Sequence, residues 1–330
     1  MLFLGNSYTF FNDLELTTAA LFAAAGEEVQ AERLANAGWR FVDHIGAIET
    51  ADSGHEVAFS EARDWVILQE QSQIPGFPEG QPDREESRDA AVTLDGYVAG
   101  TGAETMFLMT WGRRDGDRDN AALYPDYTTM QALLTEGYLG YVDLASADGT
   151  QAYVAPAGLA WGRIHADVLA TGEDPLAPGS AFYDLYVDDG SHPSPRGTYL
   201  AACVVYASIT GNSPEGLAAP DTVPDAAYLQ EVAAAVVLDG EGIVYPWSSD
   251  VPDDTGDTGP SDTDTGPSDT DTANTATDTA DTATDSADAA SDPTPDDPDG
   301  CACAASRPAA AWAGIPLFAL ALTRRRARRG

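Results

Sequence analysis

Short apolar runs alternate with longer helical patterns through the first 240 or so residues of this chain. The run Asp64-Trp65-Val66-Ile67-Leu68 is continuous and apolar, which is typical of a strand buried on both faces. Strand patterns occur at 1–4, 28–34, 64–68, 104–110 and 151–155. Strands that alternate with helices at this spacing predict an α/β fold, a three-layer α/β/α sandwich with a mostly parallel sheet.

The helical patterns fill the intervals between these strands. We predict helices at 14–25, 41–50, 86–99, 127–145, 160–170, 195–209 and 225–238. The segment 74–83 is rich in Pro and Gly and predicts a long loop at the end of the third strand.

Composition divides the chain into three parts. Residues 1–249 have mixed sequence and form the predicted folded domain. Residues 250–300 consist almost wholly of Asp, Thr, Ala, Ser, Pro and Gly, so they predict a disordered acidic spacer. Residues 301–330 hold a cysteine pair, a short apolar segment and an arginine cluster.

The charge and cysteine content exclude several classes of function. The formal net charge is -38 and the chain has no lysine, so no basic face is available for nucleic acid. The three cysteines, Cys203, Cys301 and Cys303, lack the spacing of a metal site. We expect Cys203 to be a core residue and the protein to need no cofactor or metal.

The first strand ends in Gly5-Asn6-Ser7, and a helical pattern follows. Ligands bind at the carboxyl ends of parallel strands in open α/β sheets, so Ser7 is a candidate nucleophile. A Gly-x-Ser turn alone is weak evidence. The serine also needs a histidine base and an acid to orient it.

His192 is the best candidate for that base. Asp189 lies three residues before it in a loop, where a carboxylate can reach the imidazole Nδ1–H and leave Nε2 to take the serine proton. Asp188 is an alternative acid, and His192 could instead cap the following helix. The other three histidines, His44, His55 and His165, are expected to be surface or capping residues.

Gly5-Asn6-Ser7, together with Asp189-Gly190-Ser191-His192-Pro193, resembles the first and last blocks of the SGNH/GDSL hydrolases. The middle residue of the first block is Asn where that family usually has Asp, a change that preserves the turn. The resemblance covers about residues 1–240. It implies a flavodoxin-like fold and a serine esterase with Ser7, His192 and Asp189 as the catalytic residues.

The resemblance also implies an oxyanion hole formed by the Ser7 amide, by Gly38 and by a side-chain amide after the third strand. The family has an asparagine there, whereas this chain reads Gln69-Glu70-Gln71-Ser72-Gln73. Residues 69, 71 and 73 share one face of an extended segment, so any of the three amides could be the donor. Gln71 and Gln73 are the expected donors.

Trp111-Gly112-Arg113-Arg114 follows the fourth strand, and Trp111 and Arg113 are candidate substrate-binding residues. A salt bridge from Arg113 to the neighbouring aspartates is the alternative. The run from Asp115 to Asp126 has the carboxylate spacing of a calcium loop but lacks its central glycine. A solvated acidic loop is the favoured interpretation.

The C-terminal part resembles the sorting tail of myxobacterial surface proteins, with processing near Cys301 by sorting machinery. A plain tail-anchor is the alternative, because the apolar run at 309–322 is shorter than a comfortable membrane span. We therefore expect an exported, surface-anchored protein. Since Met1 lies within the first strand, we also expect an export signal upstream of it.

These patterns predict a serine esterase that hydrolyses short-chain esters, such as acetyl groups on extracellular carbohydrate. The alternative is a surface-displayed binding protein that keeps the fold without turnover. The altered third block, from Gln69 to Gln73, is the feature that favours this alternative.

Overall fold

A computed structural model of the chain describes residues 1–248. Within them, five strands form one parallel sheet in the order β2-β1-β3-β4-β5. The strands are Leu2–Gly5 (β1), Glu32–Ala35 (β2), Trp65–Leu68 (β3), Glu104–Leu108 (β4) and Tyr153–Ala155 (β5). This is the flavodoxin-like strand order, and the predicted α/β fold is confirmed.

Nine helices flank this sheet in the described part of the chain. They are Ser7–Phe10 (α1), Leu14–Ala24 (α2), Phe41–Ile48 (α3), Gly54–Phe59 (α4), Pro82–Thr101 (α5), Tyr127–Ala145 (α6), Ala157–Thr171 (α7), Pro195–Thr210 (α8) and Ala226–Leu238 (α9). Short 3₁₀ helices lie at Ile74–Gly76, Ser146–Asp148 and Tyr183–Leu185.

Alternate residues of each strand supply the two faces of the sheet. Phe3 and Ile67 belong to a core shared with α2, α7, α8 and α9. Leu4 and Val66 point the other way, into a core shared with α3, α4, α5 and α6. Burial on both faces explains why these strands read as continuous apolar runs.

The carboxyl ends of β1 and β3 are neighbours, and this places the segments after them side by side. The Gln69 amide donates to the Leu4 carbonyl at 2.9 Å and so extends the pairing by one residue. The turn that carries Ser7 therefore lies directly beside the 69–73 segment.

No helix in residues 1–248 is long and apolar enough to cross a membrane. The predicted spacer, the processing site at Cys301 and the sorting tail lie outside the described residues. They remain predictions.

Candidate active site

The turn after β1 is fixed by the side chain of Asn6. Its Oδ1 accepts from the Tyr8 amide at 3.1 Å and caps α1, while its Nδ2 donates to the Trp39 carbonyl at 3.0 Å. The Asn6 amide in turn donates to Gln69 Oε1 at 2.9 Å. Asn6 thus ties the turn of Ser7 to the segments that follow β2 and β3.

Three predicted side chains meet above this turn in one line of hydrogen bonds. Ser7 Oγ lies 2.7 Å from His192 Nε2, and His192 Nδ1 lies 2.6 Å from Asp189 Oδ2. An ionised carboxylate can only accept, so the network assigns the ring proton to Nδ1. Nε2 is then free to accept the proton of the serine hydroxyl.

Asp189 accepts hydrogen bonds from two backbone amides as well as from the imidazole. Its Oδ1 accepts from the backbone amides of Ser191 at 2.8 Å and His192 at 2.9 Å. Desolvation alone would raise the pKa of Asp189, but the hydrogen bonds from His192 and from these amides outweigh it and lower the pKa. The carboxylate therefore stays ionised beneath the histidine at neutral pH.

The loop of residues 188–193, here called the histidine loop, is also held by a segment that is distant in sequence. Gly190 has a positive φ of 69°, and its carbonyl accepts from the Arg114 amide at 2.7 Å. The Arg114 guanidinium pairs with Asp115 at 3.0 Å and lies 4.0 Å from the ring centre of Tyr183. The contact between Arg114 and Gly190 could not be predicted from the sequence, because Arg114 lies in the segment after β4, far from Gly190 in the chain.

Ser7, His192 and Asp189 lie at an open surface. The side chain of His192 is 25% exposed and that of Asp189 is 47% exposed. Ser7 is half-buried. A bulky alcohol can therefore approach the serine from solvent.

Two of the predicted oxyanion donors are tied to each other. Gln71 Nε2 donates to Gln73 Oε1 at 2.7 Å, and the Gln73 amide donates to Gln71 Oε1 at 2.9 Å. Gln73 Nε2 also donates to Asp117. Each carboxamide nitrogen has two hydrogens, so one N–H of each glutamine is not used in these bonds.

Gly38, the third predicted donor, lies in the turn after β2. It has a φ of 72°, a conformation that favours glycine, and it is exposed. Its neighbour Trp39 accepts the hydrogen bond from Asn6, which joins this turn to that of Ser7. The residues predicted for the oxyanion hole therefore lie on two segments that are both linked to the nucleophile turn.

The prediction that Trp111 contacts substrate is wrong. Its side chain is fully buried, stacked between Tyr8 at 5.1 Å and Trp161 at 4.1 Å. Its indole N–H donates to the Ser191 carbonyl at 3.2 Å. Trp111 packs beneath the turns that carry Ser7 and His192 and has no exposed surface for a substrate.

Arg113 adopts the predicted alternative, an ion pair with the acidic loop. Its Nη1 lies 2.6 Å from Asp117 Oδ1, and its Nη2 donates to Ser72 Oγ at 3.4 Å. The side chain keeps 21% exposure. Its positive charge is therefore already paired.

Asp117 of the acidic loop is held by partners within the protein. Asp117 is buried, and its oxygens accept from Arg113, Gln73, Asn120 and the Asp119 amide. No cluster of three His, Cys, Asp or Glu side chains suited to a metal occurs among residues 1–248. The expectation of a solvated loop is wrong for Asp117, which neutralises Arg113 inside the protein.

His44 and His55, which were expected to be surface or capping residues, are buried beside the turn of Ser7. His44 Nε2 lies 3.0 Å from the Gly5 carbonyl and His44 Nδ1 lies 3.1 Å from His55 Nε2. The carbonyl can only accept, so Nε2–H of His44 donates to it and Nδ1 accepts from His55. Burial lowers the pKa of His44 to about 4, which keeps it neutral.

Glu70, for which the sequence predicts no role, is also buried. Its Oε1 accepts from the amides of Phe41 at 3.1 Å and Gln71 at 2.6 Å, and Ser87 donates to its Oε2. Burial raises the pKa of Glu70 to about 7. Glu70 fixes the start of the segment that carries Gln71 and Gln73.

Comparisons with known proteins bear on the fold. No protein-family model and no curated protein matches the chain. A DUF4886 family protein from Bacteroides uniformis has 17% identity and a TM-score of 0.54, covering 74% of this chain and 96% of its own. A protein provisionally assigned as an SGNH hydrolase from Slackia heliotrinireducens has 27% identity and a TM-score of 0.45, covering 62% and 95%.

An acetylxylan esterase from Geobacillus stearothermophilus has 13% identity and a TM-score of 0.41, covering 62% of this chain and 89% of its own. The structural neighbours thus include SGNH hydrolases and esterases. Of these three, the Bacteroides uniformis protein has a TM-score above 0.5 and therefore shares the fold of this chain.

Proposed function

We propose that this protein is a serine hydrolase that cleaves carboxylic esters through an acyl-enzyme. The observation that carries the proposal is the unbroken hydrogen-bonded line from Ser7 Oγ through His192 to Asp189. This is the arrangement by which a neutral imidazole activates a serine hydroxyl.

In the proposed reaction Ser7 Oγ attacks the ester carbonyl while its proton passes to His192 Nε2. The tetrahedral oxyanion accepts hydrogen bonds from the Ser7 amide, from Gly38 and from a carboxamide of Gln71 or Gln73. His192 then returns the proton to the leaving alcohol. A water molecule, deprotonated by His192, hydrolyses the acyl-enzyme and regenerates Ser7.

The openness of the site favours a small acyl group on a large alcohol. His192 and Asp189 are both partly exposed, so a polymer-linked ester can reach Ser7 without entering a deep cavity. We therefore propose short-chain esters, such as O-acetyl groups on carbohydrate, as substrates. No contact in the described residues favours the alternative of a non-catalytic binding protein.

Steady-state hydrolysis tests this proposal. We expect turnover of 4-nitrophenyl acetate and release of acetate from acetylated xylo-oligosaccharides, with weaker activity on 4-nitrophenyl octanoate. Ser7→Ala should abolish all three activities. Equal acetate release by the wild type and Ser7→Ala would refute the enzyme assignment, and a preference for octanoate would refute the short-chain assignment.

A further inference from the structure

The imidazole of His192 has two aromatic neighbours. The ring of Phe11 stacks on it with centroids 4.3 Å apart and planes inclined by 18°. The ring of Tyr8 lies 5.5 Å away and is tilted by 55°. Both aromatic residues follow Ser7 within four positions, so one short segment supplies the nucleophile and two neighbours of its base.

The Phe11 backbone forms hydrogen bonds to Ser7 and to Thr198 of α8. Its amide donates to the Ser7 carbonyl at 3.0 Å, and its carbonyl accepts from Thr198 Oγ1 at 3.2 Å. The next residue, Asn12, donates through Nδ2 to the Pro193 carbonyl at 3.0 Å. The stacked ring is therefore held in register with the histidine loop.

Tyr8 is fixed in a different way. It is buried against Trp111, and its hydroxyl lies 2.7 Å from Ser191 Oγ, on the residue before His192. Burial raises the pKa of Tyr8, so the hydroxyl keeps its proton at neutral pH. Tyr8 thus joins the nucleophile segment to the histidine loop from the protein side.

The stack has different consequences before and during the reaction. The face of an aromatic ring is electron-rich and attracts a cation more strongly than a neutral group. His192 is neutral while it awaits substrate and becomes an imidazolium when it takes the Ser7 proton. Contact with Phe11 therefore stabilises the charged state formed on the way to the tetrahedral intermediate more than the resting state, which raises kcat.

We propose that Phe11 is a positioning residue for His192. The ring of Phe11 holds the imidazole in line with Ser7 and stabilises the protonated imidazole. This inference rests on the proposed serine-hydrolase function. It assigns a catalytic consequence to a residue outside the triad and the oxyanion hole.

Kinetics of Phe11→Leu and Phe11→Tyr test the catalytic part. Phe11→Leu removes the aromatic face but keeps an apolar side chain, so we expect kcat for 4-nitrophenyl acetate to fall roughly tenfold, with KM within about twofold. Phe11→Tyr should restore most of kcat. Phe59→Leu, which removes a half-buried ring on α4, should leave both constants unchanged.

An unchanged kcat in Phe11→Leu would overturn the proposal. So would a rise in KM alone, which would make Phe11 a substrate contact. Failure of Phe11→Tyr to recover kcat would likewise show that kcat does not depend on an aromatic ring at this position.

A spectroscopic measurement tests the stack without turnover. Stacking on Phe11 should shift the ring-proton NMR signals of His192 upfield, and these signals are identified by their absence in His192→Gln. The upfield shift should decrease in Phe11→Leu, where the more distant ring of Tyr8 remains, and persist in Phe11→Tyr. A signal that does not move in Phe11→Leu would refute the stack even in an active enzyme. A correct shift in a wild type that lacks Ser7-dependent hydrolysis would instead refute the proposed function.

Discussion

Asp189 uses both of its carboxylate oxygens within its own turn. Oδ2 faces His192 Nδ1, and Oδ1 receives two backbone amides. The neighbouring Asp188, which the sequence left as an alternative acid, is exposed. Substituting Asp188 and Asp189 in turn can therefore show which of these two adjacent aspartates serves His192.

We predict that Asp189→Asn lowers kcat by about three to four orders of magnitude, since an amide cannot hold the required imidazole tautomer. Asp188→Asn is the matched control and should retain activity within about twofold. Hydrolysis of 4-nitrophenyl acetate by the two purified variants measures both. Equal losses in the two variants would contradict the assignment of the acid to Asp189.

At the residue scale, the contacts that could be predicted are those between residues close together in the sequence. Asp189 and His192 are three residues apart in one turn, so their contact is readable from sequence. The burial of Trp111 depends on Tyr8, Trp161 and Ser191, which come from three distant segments. Such packing leaves no local pattern, and the expectation of a substrate contact was therefore wrong.

The turn between β1 and α1 is the element that most constrains the site. Gly5 ends β1, and its carbonyl accepts the hydrogen bond from His44. A Cβ at this position would overlap Thr9 Oγ1 and stand 2.6 Å from Gln69 Oε1. Both of these neighbours are buried and cannot move aside freely.

We predict that Gly5→Ala lowers the free energy of unfolding by about 1–3 kcal/mol, because it overpacks this turn. It should also reduce kcat, since Ser7 is two residues away. Gly46→Ala on α3 is the matched control: a Cβ there meets nothing within 4 Å, and the helix should gain about 0.5–1 kcal/mol. Urea denaturation measures both, and a Gly5→Ala protein as stable as wild type would contradict the packing around the turn.

Most elements were predicted with small errors at their ends. The helix expected at 86–99 begins at Pro82, because Gln81 caps it through the Arg84 amide. The strand expected at 28–34 is only Glu32–Ala35, at the edge of the sheet. Helix α4 at Gly54–Phe59 was missed, since six residues are too few to show a helical period.

At the scale of the whole molecule, Glu70 links pH to stability. Its pKa of about 7 lies above the ordinary value of 4.5, so between these values the folded state holds a proton that the unfolded state releases. The free energy of unfolding must therefore fall as pH rises through this window, by up to about 1.4 kcal/mol per pH unit.

We predict that Glu70→Gln removes this dependence. Between pH 5 and pH 7.5 the stability of wild type relative to Glu70→Gln should fall by about 1–3 kcal/mol. The glutamine can still accept from the Phe41 and Gln71 amides. Urea unfolding at both pH values measures the difference, with the exposed Glu49→Gln as control. Parallel pH curves for wild type and Glu70→Gln would show that Glu70 is ionised in the folded state.

The architecture of residues 1–248 was the most predictable feature, because the alternation of strands and helices determines a parallel sheet with two buried faces. The buried polar groups were the least predictable. His44 and Glu70 are buried polar side chains whose partners Gly5 and Phe41 are distant in sequence, and His55 is buried against His44. Sequence patterns assign such residues to the surface by default.

Labelling of Ser7 tests the central claim most directly. A fluorophosphonate reacts covalently with an activated serine, so intact-mass measurement should show one adduct per wild-type chain, mapped to Ser7 by peptide analysis. His192→Gln should slow the labelling by orders of magnitude, and Ser7→Ala should abolish it. A wild type that stays unlabelled, or a Ser7→Ala chain that is labelled as fast as wild type, would contradict the assignment of Ser7 as the nucleophile.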